Sequence, residues 1–351
     1  MPDHEVYMRR CITLALKGGG YTAPNPLVGA VLVHQGRIIG EGFHEYYGGL
    51  HAEVNCLRSV AEIDFPLIRK STLYVSLEPC SHFGKTPPCT DLIIDNEIPE
   101  VVIGCTDSFE KVKGSGISKL AADGIKVTKD ILHKECRGLN KRFFTFHEKH
   151  RPYILLKWAQ SADGFIAGEK SARIKISNES TDSLVHQWRA AEAAILAGTN
   201  TVLSDDPSLT VRHVPGRNPV RAVIDPNLDI PSSAKVYDEI SETIIINRKK
   251  NATESSHIFF KIGEEESIEE GTIRALFERR LVSVMIEGGA KTLQSFIDAG
   301  LWDEAKVITN TGLYINSGIA SPVLKDEIKF SEEKIFSDHI GSFKKKTNEF
   351  L

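Results

Sequence analysis

Two kinds of hydrophobic periodicity divide this chain. Between residues 4 and 18, Val6, Tyr7, Cys11, Leu14 and Ala15 recur at helical spacing, so a helix with one apolar face is expected there. Pro24-Asn25-Pro26 ends it. Short apolar runs at 28–34 and 37–42 flank Gln35-Gly36, the signature of a hairpin. The pattern then predicts a helix over 51–63, a buried strand over 72–77 and a helix over 88–96. A strand over 101–105, a helix around 117–122, a strand over 125–129 and a helix over 131–146 complete the half. Strands and helices in alternation form an α/β layer.

A charged stretch at 147–152 sets the expected boundary, with one domain over 1–147 and a second over 148–351. Beyond it the pattern predicts strands at 153–159, 194–197, 220–225, 243–247, 257–261, 282–286 and 304–309. Helices are expected over 181–192 and 268–281. A third opens after Gly288-Gly289 and runs to 299. No element is assigned after 309.

Composition narrows the class. The chain has 351 residues, 41% hydrophobic and 26% charged, which fits two ordinary globular domains. A net charge of −4 gives no reason to expect nucleic-acid binding. No apolar run reaches the length of a membrane span, and the first residues show no leader pattern, so the cytoplasm is the expected location. A homo-oligomer is compatible with the sequence, which does not report assembly state. All six cysteines fall in the first 136 residues, a distribution unlike a secreted disulfide scaffold. Cys11, Cys56 and Cys105 have apolar neighbours and are expected in the core.

The candidate chemistry lies between residues 43 and 90. His51, Cys80 and Cys89 offer one imidazole and two thiolates, a set that suits tetrahedral Zn²⁺ with its fourth position open to water. Glu53, two residues past His51, is placed to move protons without binding the metal. A structural zinc is the plainer alternative for the same three ligands. Helices expected at 51 and 88 would bring two N-termini to the metal, favouring nearby negative charge.

The order His-x-Glu, Pro-Cys, Cys resembles the zinc deaminases. Nucleobase deaminases usually place two residues between the cysteines, whereas eight stand here, from Ser81 to Pro88. That longer loop resembles the deaminase half of the bifunctional deaminase/reductases of riboflavin biosynthesis. The resemblance implies that Asn25, in Asn-Pro-Leu-Val-Gly, lines the deaminase pocket with His44, His82 and Lys85. Lys85 would hold a substrate phosphate as a point charge.

The second half carries Leu-Lys-x-Ala-x-Ser-x-Asp-Gly, Gly-x-x-Thr-Val-x-x-Asp-x-Pro-x-Leu-Thr-x-Arg and Val-x-Ile-Glu-Gly-Gly in that order. Together they resemble the reductase half of the same family. The expected architecture is therefore α/β throughout: a cytidine-deaminase-like three-layer α/β/α domain, then a dihydrofolate-reductase-like domain that uses NADPH. Carried over by position, Ala159, Lys175, Thr201, Asp205 and the turn Gly289, Ala290, Lys291, Thr292, Leu293, Gln294, Ser295 would meet NADPH. Lys157, Arg173, Arg189, Leu209, Arg212 and Glu287 would face the reductase substrate, with Arg189 and Arg212 as a phosphate clamp.

Two departures stand out. Relatives often have a tryptophan where this chain has Lys175, and a Gly-Gly pair in the stretch that here reads Asn316-Ser317-Gly318. The resemblance implies two reactions on one phosphoribosylaminopyrimidine: hydrolytic deamination, then reduction of the ribosyl chain. Two rivals remain open. One is a deaminase of other nucleobases with a degenerate C-terminal domain, and the other is a non-catalytic zinc-bound binding protein.

Overall fold

A computed structural model describes residues 3–83, 87–108, 114–169 and 174–346. Lys85 and Arg173 lie outside the described residues. The chain divides into two compact units between His150 and Arg151.

The first unit opens on α1 (His4–Ala15), capped by the Asp3 side chain, with Met8, Cys11, Leu14 and Ala15 buried. The hairpin follows as β1 (Gly29–His34) and β2 (Arg37–Phe43). Next come α2 (Ala52–Arg58), β3 (Thr72–Leu77), α3 (Cys89–Asp95), β4 (Glu100–Cys105), α4 (Ser115–Ala122) and β5 (Lys126–Thr128). Two helices close the unit, α5 (His133–Leu139) and α6 (Lys141–Lys149). The five strands run in the order β2-β1-β3-β4-β5. Alternation along β1 splits the core. Val31 and Val33 face α1, α5 and α6 with Met8, Cys11 and Phe144, while Ala30 and Leu32 face α2, α3 and α4 with Cys56, Ile93 and Leu120. This is the expected three-layer arrangement.

Two expectations need correction here. The helix expected over 51–63 is α2 alone, and 62–70 forms a separate 3₁₀ segment around Pro66 that only half-buries Leu67 and Ile68 against the core. The helix expected over 131–146 is two helices, broken at Asn140. Its side-chain oxygen accepts the Leu27 N–H and its amide donates to the Leu27 carbonyl, both at 2.8 Å. A side chain that pairs with a distant main chain in this way competes with continued helix.

The second unit starts with β6 (Tyr153–Ser161) and β7 (Phe165–Gly168). There follow α7 (Glu179–Ala191), β8 (Ala194–Gly198), α8 (Thr199–Asp205), β9 (Val220–Ile224), β10 (Thr243–Asn247), β11 (Ala252–Glu254), β12 (His257–Lys261) and α9 (Ile268–Glu278). The unit ends with β13 (Ser283–Ile286), α10 (Ala290–Asp298), β14 (Glu304–Asn310), β15 (Gly318–Ala320), β16 (Glu327–Ile335) and β17 (Asp338–Lys345). Ten strands form one sheet, β11-β12-β10-β9-β8-β13-β6-β14-β17-β16. From β12 to β14 every neighbouring pair is parallel. Both faces are covered, so Ile154, Leu196 and Ile286 pack with α9 and α10, and Ile195, Val223 and Met285 pack with α8.

Five strands of this unit escaped the hydrophobic pattern: β7, β11, β15, β16 and β17. β16 is an edge strand exposed along almost its whole length, and β17 buries Asp338 and Ser342 beside Ile340. In β16 only Ile328 and Phe330 alternate with polar residues, and both are exposed, while β17 has no apolar alternation. Residues 199–205, outside every expected element, form α8. Among the described residues no helix is long and apolar enough to cross a membrane.

Candidate active sites

In the first unit, His51 is the residue that caps α2, Cys80 follows β3, and Cys89 opens α3. Sequence-distant ends therefore converge. His51 Nδ1 stands 3.5 Å from Cys80 Sγ and 3.3 Å from Cys89 Sγ. All three donor atoms lie within 4.8 Å of one another. The Cys89 main-chain N–H, at the start of its helix, donates to Cys80 Sγ at 3.3 Å, which favours a thiolate there. Its bond to Cys89 holds the Cys80 thiol down to about 4, and the bond to Cys80 raises His51 to about 9. Cys89 moves the other way, raised by Cys80 and by burial. The three groups crowd around shared protons, and a divalent cation fits by replacing those protons.

Glu53 lies in the first turn of α2, only 3% exposed, and burial raises its carboxyl pKa. A buried carboxylate of raised pKa beside a metal set is suited to taking and returning protons. Asn25 and His44 meet, with Asn25 Nδ2 3.1 Å from His44 Nε2. The other ring nitrogen of His44 lies 2.9 Å from the Leu50 carbonyl and must donate to it, so Nε2 accepts from Asn25. Burial pushes the His44 pKa down, consistent with a neutral ring. The His44 ring stands edge-on to His51 at 5.7 Å. His82 sits half-buried on the segment between the two cysteines.

One residue of this site was missed. Glu78, two before Cys80, is buried and accepts four main-chain N–H groups, from Asp107, Gly114, Gly116 and Ile117, at 3.0–3.2 Å. It closes the start of α4 onto the strand end that carries Cys80. Gly116 is required there, because a Cβ would come within 2.2 Å of the Pro79 carbonyl. Its sequence signal was the Leu-Glu-Pro-Cys run itself, but its partners are main-chain groups that no motif displays.

In the second unit, a cleft of about 1160 Å³ opens at the carboxyl ends of β6, β8 and β13, where open parallel sheets bind ligands. Lys157, Ala159, Lys175, Arg189, Thr201, Asp205, Arg212, Glu287 and residues 289–293 line it. Gln294 and Ser295 lie further along α10 and are not among the lining residues. Leu209 is buried with Val202 and Ile230 instead.

Two turns build the cleft floor. β8 leads into α8 and its neighbour β13 into α10, so two helix N-termini sit side by side. Their main chains pack closely. A Cβ on Gly198 would lie 2.5 Å from Thr292 Oγ1, and one on Gly288 would lie 2.8 Å from the Gly198 nitrogen. Thr201 Oγ1 accepts the Gly289 N–H at 2.7 Å. The first-turn N–H groups of α10 have no partner within the helix, so this turn suits a dinucleotide phosphate.

The opposite wall is charged. Arg189 donates twice to Glu287, from Nε at 2.8 Å and Nη2 at 2.7 Å, and once to the Thr210 carbonyl at 3.2 Å. Lys157 Nζ stands 3.8 Å from Glu287. The expected two-arginine phosphate clamp is therefore split in this structure. Arg189 is held by a carboxylate, whereas Arg212 has no acidic partner among the described residues and bonds only to Thr210 Oγ1 at 3.2 Å through its guanidinium. His186 and His213, neither singled out from the sequence, stack edge to face at 4.4 Å beside it. Asn316, in the departed Gly-Gly position, has φ +64, a left-handed conformation that asparagine adopts more readily than most residues. The substitution fits the turn.

Fold and sites define a zinc-deaminase-type unit followed by a reductase-type unit with an open cleft. The family model for the cytidine and deoxycytidylate deaminase zinc-binding region matches residues 1–105, and that for the RibD C-terminal domain matches residues 152–313. The riboflavin biosynthesis protein RibD of Aquifex aeolicus is 41% identical over 342 residues, 94% of each chain. The RibD of Synechocystis is 35% identical over 339 residues, covering 95% of this chain and 90% of its own. The crystal structure of a diaminohydroxyphosphoribosylaminopyrimidine deaminase/5-amino-6-(5-phosphoribosylamino)uracil reductase from Thermotoga maritima is similar with a TM-score of 0.89 and 36% identity, over 97% of this chain and 98% of that one. The chain belongs to the RibD family of riboflavin biosynthesis proteins.

Proposed function

We propose that this chain catalyses two successive steps of riboflavin biosynthesis. The first is hydrolytic deamination of 2,5-diamino-6-(5-phosphoribosylamino)pyrimidin-4(3H)-one. The second is reduction of the ribosyl chain, giving 5-amino-6-(5-phosphoribitylamino)uracil. Zinc, one per chain, supplies an activated water in the first step, and NADPH supplies hydride in the second.

His51, Cys80 and Cys89 hold the metal. Glu53 takes a proton from the attacking water and passes it to the departing amine. Asn25 and the neutral His44 orient the pyrimidine. In the reductase unit, Ala159, Thr201, Asp205 and the turn from Gly289 seat the cofactor, while Arg212 receives the substrate phosphate. Arg189 and Glu287 hold each other and Lys157 in place around the reacting sugar.

The observation that carries the proposal is that His51 Nδ1 faces both thiol sulfurs within 3.5 Å in a chain that retains the reductase cleft. The lined cleft and the fitted Asn316 turn argue against a degenerate second half. The test is to incubate the pure protein with the diaminopyrimidine phosphate and identify products by mass. Without NADPH one amino group should be replaced by oxygen, and with NADPH the product should gain two hydrogens. Activity on cytidine but not on this substrate would sink the proposal.

A further inference from the structure

His186 has no role in the two reactions as drawn above. It stands on α7 one turn before Arg189, on the same helix face. It is 4% exposed and still lines the cleft. Its Nδ1 lies 3.1 Å from the main-chain nitrogen of Arg212. A main-chain N–H can only donate, so Nδ1 must accept and the ring proton must sit on Nε2. Arg212 is thus gripped at its main chain by His186, while its guanidinium bonds to Thr210 Oγ1. Thr210 is in turn held through its carbonyl by Arg189 at 3.2 Å. Two side chains of one helix fix the segment that carries a guanidinium with no acidic partner among the described residues.

We propose that His186 is a positioning residue of the reductase site: by accepting the Arg212 main-chain N–H as a neutral imidazole, it holds the Arg212 guanidinium where a sugar phosphate is bound. The inference rests on the reading that Arg212 receives the phosphate. The charged and titratable neighbours agree with it. Burial first, then the positive charges of Arg189 and Arg212 and the nearby His213, push the His186 pKa down to about 4, against the opposing pull of Glu287. The ring is neutral at any ordinary working pH, so its acceptor is always available.

The test uses the full zinc-loaded chain with NADPH, the deaminated substrate, and ribose 5-phosphate as a competing sugar phosphate. His186→Leu fills similar space without an acceptor. It should raise both the KM for substrate and the inhibition constant of ribose 5-phosphate about tenfold, the size of one lost charge-proximal hydrogen bond. The kcat should stay within about threefold and NADPH affinity should not change. His186→Asn, whose Oδ1 can take the place of Nδ1, should restore most of the loss. The double variant with Arg212→Ala should bind ribose 5-phosphate no more weakly than Arg212→Ala alone, because His186 acts through Arg212. Wild-type inhibition in His186→Leu, equal losses in Leu and Asn, or additive losses in the double variant would each overturn the inference. If Arg212→Ala itself leaves the inhibition constant unchanged, the phosphate reading of Arg212 has failed and the inference falls with it. A measurement without substitution stands beside these. Nitrogen-15 spectra of the histidine-labelled protein should show His186 as the neutral Nε2–H tautomer at neutral pH, and a charged or Nδ1–H ring would refute the assigned role.

Discussion

Arg189 and Glu287 are 98 residues apart in sequence and joined by two parallel hydrogen bonds, at 2.8 and 2.7 Å. One comes from α7, the other from the end of β13. Both side chains are largely buried, at 13% and 9% exposure. A fork-to-fork pair of this kind fixes the angle between helix and strand as well as balancing charge. It also holds the second carboxylate oxygen 3.8 Å from Lys157 Nζ, which burial pushes below the usual lysine pKa and Glu287 pulls back up.

Removing one member should therefore cost more than the pair is worth. Burial alone would raise the Glu287 carboxyl, but the charges of Arg189 and Lys157 outweigh it and hold it down to about 2. Glu287→Gln leaves two buried cations unpaired, and the expected loss is about 3–5 kcal/mol from the reductase unit. A depressed carboxylate contributes stability that is complete above its unfolded pKa of about 4.3 and lost as pH falls through the folded value. Urea unfolding of the second unit should show a wide gap between wild type and variant at neutral pH. That gap should close between about pH 4 and pH 2, and a gap that is independent of pH would contradict this account.

Cys80→Ser should remove zinc and deamination together. Hydroxyl is a far poorer zinc ligand than thiolate, and Cys80 is the sulfur held as thiolate by the Cys89 N–H. Reduction of already deaminated substrate should persist, since the cleft belongs to the other unit. Elemental analysis and the two assays on one preparation decide it. Full zinc in the variant would rule out the ligand assignment.

Glu53→Gln should keep zinc and lose chemistry. The amide preserves shape within the buried first turn of α2 but cannot accept the proton. A missing general acid–base commonly slows a reaction about 10²–10⁴-fold. Deamination at the normal rate with metal retained would end the proton-transfer role.

How much of this was legible in the sequence depends on where each residue's partners come from. The candidate ligand set could be read directly, because His51, Cys80 and Cys89 advertise their chemistry by type and order, and their donor atoms do come together. The layered core could be read because alternation in β1 and helical spacing in α1 are local patterns. Glu78 could not be assigned, since its partners are main-chain N–H groups 29–39 residues away. Arg189 and Glu287 were each singled out, but nothing local says that one neutralises the other, and so a two-arginine phosphate clamp was expected. The break at Asn140 and the strands after residue 310 were invisible for a related reason. Asn140 is fixed by a contact with Leu27, 113 residues earlier, and β16 has no buried face to leave a pattern.

The last prediction concerns the residue where relatives often have an aromatic ring. Lys175 lines the cleft with its Nζ 3.6 Å from Asp182 and its side chain 64% exposed. An ammonium cannot stack on a nicotinamide or adenine as tryptophan would, but it can meet the 2′-phosphate that distinguishes NADPH from NADH. Asp182 does not consume it, because the contact from Lys175 to Asp182 Oδ2 is long and exposed, and Asp182 Oδ1 is taken by Ser177 Oγ at 2.5 Å. The reductase is therefore expected to prefer NADPH, with Lys175 or Arg173 reading the phosphate. Loss of the responsible side chain should lower the ratio of kcat/KM for NADPH over NADH about tenfold or more, the equivalent of one charge-assisted hydrogen bond. The measurement is that ratio in wild type, Lys175→Ala and Arg173→Ala, at low salt so that an exposed cation is not screened. If neither variant shifts it, the preference must arise at α8 or at the start of α10, where Lys291 is the cation that lines the same cleft.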